Sequence, residues 1–496
     1  PVIRGAADLE LGLAHARAAR AIAQGERIHV IGAAVARAAA AELLDHEAGG
    51  APDGGDTAAA APYTVALEER GVRVVSEHLA THVVDGRPAR LAVTKALTSV
   101  RPDHPELVAA RAAGIPIEAW QPTVADAAVN QGGRLVAVAG THGKSTSAGW
   151  LVHALVAAGR DPGAFVGALL PAALTEGTPA TARWGRGDAF VVEADEYAGN
   201  FDPYRPHIAV VLNAEWDHPD VFEDRAAVVE TFERWLRAPG AEARRVVIDT
   251  GDTGGAELAA RLTDWGERVT TVAPAGGGTA DATYRLNGSL LWLDGLPGAD
   301  ARVAPLLRLA GEHNAANAAC VAAAAALLGL SGHQIADGLS TFDGVGRRFD
   351  IKGEPGGVLV IDDYGHHPTA IRATIEAVRS RYPGRRLWVA HEPLTFHRAA
   401  AMLDELAAAL ALADEAVIAD IWAGRDPDTT IASAAELAGR VAALSGREVA
   451  APGSPEATAD HLAARVEAGD VVLAMGGGRS YVIAERLLTL LADGAE

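Results

Sequence analysis

Cysteine is almost missing from this chain of 496 residues, whose single Cys320 lies in the Ala-rich run NAANAACVAAAAALLG. One thiol excludes an internal disulfide and any zinc site built on several cysteines, and it points to a reducing cytoplasm. Long apolar runs are missing too. No stretch reaches the roughly 18 uninterrupted apolar residues a membrane helix needs, and the opening PVIRGAADLELGLAHARAAR holds no apolar signal core. The expectation is a cytoplasmic protein with no membrane partner. Basic residues are also scarce: 43 Lys+Arg against 64 Asp+Glu leave a formal charge of -21. A nucleic-acid backbone rewards clustered Lys and Arg, so nucleic acid is excluded as a partner. A nucleotide is not, because backbone N–H groups, one lysine and a bound Mg²⁺ reverse the field at a single site.

What is present is a repeated α/β pattern. At 496 residues the chain exceeds the roughly 250–300 that one core supports, so several domains are expected. RIHVIGA (27–33) reads as a buried strand and AVARAAAAELL as the helix after it; the Gly-, Pro- and Asp-rich 47–62 reads as a surface loop. Strands at GVRVV and RLAVT complete a first α/β unit ending near residue 130. The alternation restarts at RLVAVAG and continues through DAFVVEAD, IAVVLNA and RRVVIDT. Such near-continuous apolar runs between amphipathic helices predict a parallel sheet buried on both faces. Residues 270–305 read as hairpins and turns, and 313–341 as a helical pair. A third unit carries VLVIDD, RLWVAHE, EAVIADI and DVVLAMGG. The domain limits expected are 1–130, 131–346 and 347–496.

The first chemical signal is LVAVAGTHGKSTSAGWL (135–151). It is a shortened phosphate loop, because a strict Walker A would need glycine where this chain has Val138. Gly140, Thr141, His142, Gly143, Lys144, Ser145 and Thr146 still meet the physical need. Glycines admit close backbone N–H groups, the helix offers its positive end, Lys144 reaches β and γ phosphates, and Ser145 offers a hydroxyl to Mg²⁺. The alternative is a helix start with a capping serine and incidental glycines. Glu193-Ala194-Asp195-Glu196-Tyr197 follows at a strand end, where such sheets hold a metal, and Glu193 is the first candidate ligand. VLNAEWDHPDVF then places Asn213, Asp217 and His218 at another strand end, with His218 a candidate for metal or phosphate. Asn314 and Asn317 lie three apart on one helical face in GEHNAANAAC. GVGRRFDIKGE sets two arginines at a domain junction, suited to clamping a phosphate, with a salt bridge between domains as the plain alternative. VLVIDDYGHHPTAI crowds two Asp and two His at a strand end before a helix.

In their order and spacing these motifs, together with the late GDVVLAMGGG, resemble the Mur ligase family of ATP-dependent amide ligases, over about residues 130–496. The resemblance implies three α/β domains: a Rossmann-like N-terminal domain, a central P-loop ATPase-like parallel sheet and a Rossmann-like C-terminal domain. RRF..KGE and DDYGHHPT are most similar to the branch that joins L-alanine to UDP-N-acetylmuramate in peptidoglycan precursor synthesis. The chemistry implied is attack of a substrate carboxylate on the γ-phosphate of ATP, giving an acyl phosphate that an amino-acid amine then attacks. No protein nucleophile is needed, which suits a chain without a convincing one. By resemblance, Lys144 and Ser145 hold phosphate and Mg²⁺ (or Mn²⁺), Glu193 and His218 bind the metal, and Asn314 and Asn317 meet adenine. Arg348 reaches the γ-phosphate, Asp363 and His366 complete the nucleotide site, and His367 and Arg398 face the substrate. The partners implied are small molecules, a nucleotide-sugar carboxylate and an amino acid, acting on a monomer or homodimer.

The sequence departs from the family pattern at three places. The glycine-rich turn expected after the first strand reads Gly32 followed by AAVARA, so Cβ atoms at Ala33, Ala34 and Val35 would hinder approach of a diphosphate. The region resembling QPHRxxR reads Glu392-Pro393-Leu394-Thr395-Phe396-His397-Arg398, keeping only its last arginine. Ala370 stands where a glutamate is common after HHPT. These departures keep open a divergent ligase, recycling murein tripeptide or using an acceptor without UDP, and a nucleotide-binding protein that has lost catalysis.

Overall fold

The computed structural model describes residues 13, 17–32, 36–55, 63–75, 77–298, 301–424, 426 and 428–493. The chain divides into two compact units, one of which joins Asp217–Asp220 to the described residues from Gly346 onward. The other holds the remaining described residues up to Val345.

This larger unit contains two sheets. The first runs in the order Arg73–Val75, Asp53–Gly55, Ile28–Ile31, Arg90–Val93, Ile117–Ala119, with every pairing parallel. The chain winds outward in both directions from Ile28–Ile31, so the carboxyl ends of that strand and Arg90–Val93 form a switch point, as the Rossmann-like expectation requires. One prediction fails here. Residues 47–62, read as a loop, contain the strand Asp53–Gly55 between two others. Its Asp-Gly-Gly has poor strand propensity, but it pairs on both sides, and a Cβ at Gly54 would push aside the Glu42 carboxylate of the covering helix Ala36–Glu47. The Cβ atoms expected at Ala33, Ala34 and Val35 lie outside the described residues.

The second sheet has nine strands, seven of them parallel: Ala282–Asn287, Val269–Pro274, Arg245–Asp249, Ile208–Val211, Arg134–Ala139, Ala189–Ala194 and Gly163–Leu170. Antiparallel strands Leu290–Asp294 and Ala180–Arg183 close its edges. Strands such as Ala189–Ala194 and Ile208–Val211 are buried at every position, which is why their sequences are apolar without alternation. The helices Lys144–Ala157 and Glu312–Leu327 supply much of one covering layer, their alanines letting backbone approach backbone. Residues 270–305 depart from expectation at their start, where they extend the parallel sheet; Ala282–Asn287 with Leu290–Asp294 forms a hairpin as expected, and Val303 and Leu306 return antiparallel on Leu293 and Leu290.

The smaller unit carries a six-stranded sheet in the order Asp350–Gly353, Leu359–Asp363, Val471–Gly476, Leu387–Glu392, Glu415–Ala419, Ala450–Gly453. Asp350–Gly353 is antiparallel and the rest are parallel. No described helix is long and apolar enough to cross a membrane.

Candidate active site

The strand Arg134–Ala139 delivers the chain into Gly140, whose φ of 145° and position 3.2 Å (for a built Cβ) from the Asn213 backbone nitrogen leave no room for a side chain. The loop beyond is clamped by the neighbouring strand's exit. His142 N donates to Asn213 Oδ1 at 2.8 Å and Asn213 Nδ2 returns a bond to His142 O at 3.2 Å. Thr141 Oγ1 donates to Glu215 O and accepts from Glu215 N, at 3.0 and 2.9 Å. A loop held at both residues is preorganised, so its N–H groups need no reordering to meet an anion.

Gly143 caps the helix Lys144–Ala157 with φ 79°, and a Cβ there would lie 2.6 Å from Asn317 Oδ1. Both facts demand glycine. Gly143→Ala is therefore expected to cost about 1–3 kcal/mol through strain and displacement of Asn317, visible as a lowered Tm in a thermal melt. Asn317 Nδ2 contacts Asn314 Oδ1 at 3.5 Å, and Asn314 Nδ2 bonds Ala310 O at 2.8 Å. The two asparagines thus share one face beside the loop, as their spacing predicts.

Lys144 Nζ donates to Gly140 O at 2.6 Å, Thr141 O at 3.2 Å and Glu196 Oε2 at 2.9 Å, with Asp195 Oδ1 at 4.0 Å. Burial works against the ammonium charge, but Glu196, Asp195 and Glu193 together outweigh it and raise its pKa. At Glu196 burial dominates, Asp195 adds repulsion, and the carboxyl is lifted despite Lys144. Glu193, inside Ala189–Ala194, accepts from Gly167 N at 2.6 Å, and a Cβ at Gly167 would strike that carboxylate. Ser145 and Thr146 are buried in the first turn of the helix. Glu196 as the partner of Lys144 was not singled out from sequence: three acids in four residues do not say which one turns inward.

His218 belongs to the short segment Asp217–Asp220 of the smaller unit. Its φ is 55°, and its Nδ1 lies 3.3 Å from an Arg398 NH2 group. Arg398 is buried and forms a salt bridge with buried Asp217 at 2.8 Å, with Nε bonded to the same oxygen at 2.9 Å. Although burial alone would raise it, Arg398 and the neighbouring histidines hold the Asp217 carboxyl well below the usual range.

The paired arginines of GVGRRF separate into different tasks. Arg347, at φ 59°, is buried and binds Asp362, Gly476 O, Gly478 O and Ser480 Oγ. Arg348 is partly exposed and stacks 4.7 Å over Tyr364. Asp363 accepts from Phe349 N and Gly365 N at 2.8 and 2.7 Å, organising the backbone on either side. His366 Nδ1 lies 3.0 Å from Tyr364 O; burial, reinforced by Arg398, pushes its pKa well down. His367 caps the helix Pro368–Arg381 through a bond from Thr369 N.

Three family models match in succession: the Mur ligase family catalytic domain at 27–131, the Mur ligase middle domain at 138–325 and the Mur ligase glutamate ligase domain at 347–478. The UDP-N-acetylmuramate--L-alanine ligase of Kineococcus radiotolerans is 38% identical over 95% of this chain and 98% of its own length. The chain belongs to the Mur ligase family. The Mycolicibacterium smegmatis ligase of the same name is 36% identical over 94% of this chain and 95% of its own. Among solved structures, MurC from Thermotoga maritima matches with a TM-score of 0.75, 23% identity, and coverage of 94% of this chain and 99% of that one. The murein peptide ligase of Psychrobacter arcticus follows at 0.73, 24% identity and coverage of 95% and 99%. These two establish the three-domain fold. Family membership makes this protein an ATP-dependent, ADP-forming amino-acid ligase acting on small molecules.

Proposed function

We propose that the chain joins L-alanine to the carboxylate of UDP-N-acetylmuramate. One observation carries this reading: similarity to ligases of that name runs through the first α/β unit as well as the phosphate loop. Gly32, at φ 100° on the carboxyl end of Ile28–Ile31, supports a diphosphate seat at the switch point of the first sheet. The domain limits 1–130, 131–346 and 347–496 belong to the same proposal.

The substrate carboxylate attacks the γ-phosphorus of ATP, ADP leaves, and the resulting acyl phosphate is attacked by the amine of alanine with loss of inorganic phosphate. The protein's part is positioning and charge neutralisation. Lys144 and the N–H groups that follow Gly143 receive the β and γ phosphates, Asn314 and Asn317 face adenine, and Arg348, Asp363 and His366 complete the nucleotide site. Ser145, Glu193 and His218 would hold Mg²⁺ (or Mn²⁺). Buried Glu193, Asp195 and Glu196 against the single Lys144 leave the excess negative charge that a divalent cation matches. When bound, the ion neutralises charge on the phosphates. Arg398 spends two donors on Asp217 and keeps others for a substrate carboxylate beside His367.

Phosphate release should require ATP, UDP-N-acetylmuramate and L-alanine together. A panel of UDP-sugars, murein tripeptide and amino acids checks this. Turnover with tripeptide but none with UDP-N-acetylmuramate plus L-alanine would overturn the substrate assignment.

A further inference from the structure

Four histidines surround one buried carboxylate in the first α/β unit, and the ligase reaction uses none of them. Glu106, in the first turn of the helix Pro105–Ala113, is wholly buried. Its Oε1 faces His82 Nδ1 at 2.8 Å and His29 Nε2 at 3.3 Å. Its Oε2 faces His78 Nδ1 at 3.2 Å and His104 Nδ1 at 3.8 Å. The five come from three places in the chain: the strand Ile28–Ile31, the entry and first turn of the helix Ala80–Gly86, and the entry and first turn of Pro105–Ala113.

One detail does not fit a cluster held by hydrogen bonds alone, and a second suits a metal ligand. His104 is 1% exposed, yet neither of its ring nitrogens has a hydrogen-bond partner among the described residues. A buried imidazole in that state forfeits its solvation with nothing in return. His29, also 1% exposed, has a carboxylate on each nitrogen: Glu106 on Nε2 and Asp53 on Nδ1, the latter at 3.0 Å. Burial opposes the charge, but the two carboxylates raise its pKa to about 9, so the imidazolium donates to both; a metal ion at Nε2 would take the place of that proton. A ring whose Nδ1–H is oriented by a carboxylate while Nε2 faces inward is how metal-ligating histidines are supported.

The spacing agrees with this. Ligands about 2.0 Å from a tetrahedral ion stand about 3.3 Å apart, and the contacts to Glu106 span 2.8 to 3.8 Å. The ligand atoms of His29, His82 and Glu106 lie within 4.8 Å of one another, and so do those of His78, His104 and Glu106. We propose that Glu106 with the histidine pairs His29–His82 and His78–His104 forms a site for one or two divalent transition-metal ions of the zinc class, with Asp53 orienting His29. Imidazole nitrogen with one carboxylate suits zinc, cobalt or nickel and is a poor match for Mg²⁺, which takes oxygen. The site stands whether or not the substrate assignment above is right.

The full-length protein, stripped with chelator, would be titrated with Zn²⁺ against a chromophoric competitor and with Co²⁺ while visible absorption is recorded. The expected result is one or two equivalents of Zn²⁺ per chain, a raised Tm on binding, and intense Co²⁺ bands of a nitrogen-rich tetrahedral site. Weak bands would instead report octahedral oxygen ligation, as at the nucleotide site. Glu106→Gln should abolish both signals, His82→Ala should remove the share of both that the His29–His82 pair contributes, and Asp53→Asn should weaken Zn²⁺ there about 10-fold or more. His82 is partly exposed, so its truncation tests the site even if Glu106→Gln fails to fold. A protein that takes up no Zn²⁺, shows only weak octahedral bands, or binds equally well as His82→Ala would overturn the proposal.

Discussion

Lys144→Ala should lower kcat/KM for ATP on the order of 10²- to 10³-fold, the cost of removing one preorganised charge from a developing phosphate. The size of the effect follows from what surrounds the side chain. Its ammonium lies 2.9 Å from Glu196 and 4.0 Å from Asp195. Without it, the loop presents carboxylates to an anion and Gly140 O and Thr141 O lose their donor. Lys144→Arg should not restore activity, because a planar guanidinium cannot occupy the pocket of a compact ammonium pointing at two carbonyls. A coupled assay of ADP formation reads the loss, and a melt of each variant separates it from unfolding. Activity within tenfold of the parent protein would remove Lys144 from the phosphate site.

Much of this architecture is legible in the sequence because parallel strands buried on both faces are apolar at nearly every position, a functional carboxylate such as Glu193 being the exception. RLVAVA, AFVVEA and IAVV could have been little else, and all three are strands. The phosphate loop was legible for a related reason: only glycine tolerates the backbone at Gly140 and Gly143. What escaped sequence reading depends on contacts between distant residues. Asp53–Gly55 is a strand because it pairs on both sides, with Ile28–Ile31 and Arg73–Val75, and nothing local in Asp-Gly-Gly announces it. The edge strands Asp350–Gly353 and Ala450–Gly453 are short and end in glycine, so their alternation is too brief to read. The histidines around Glu106 are scattered from His29 to His104, and a lone histidine carries no signal until folding gathers it.

The adjacent arginines should respond in opposite ways. Arg347→Ala should destabilise the smaller unit by about 3–5 kcal/mol, the cost of truncating one partner of a buried ion pair. In a unit of this size that lowers Tm on the order of 10 °C. The guanidinium bonds Asp362 at 3.2 Å, Gly476 O at 3.0 Å and Ser480 Oγ at 2.9 Å, tying the strands Leu359–Asp363 and Val471–Gly476 to the helix Ser480–Asp493. Truncation strands Asp362, whose pKa burial already lifts to about 6 even with Arg347 opposing it. Its carboxylate would have to take up a proton or admit water. Arg348→Ala should lower Tm much less than Arg347→Ala, since its guanidinium is partly exposed where that of Arg347 is buried. Its kcat should nevertheless fall about 10²- to 10³-fold if its charge meets the γ-phosphate. Melting and ADP-formation assays on both variants decide the assignment. An Arg348→Ala protein that melts early and keeps its turnover would make the second arginine structural as well.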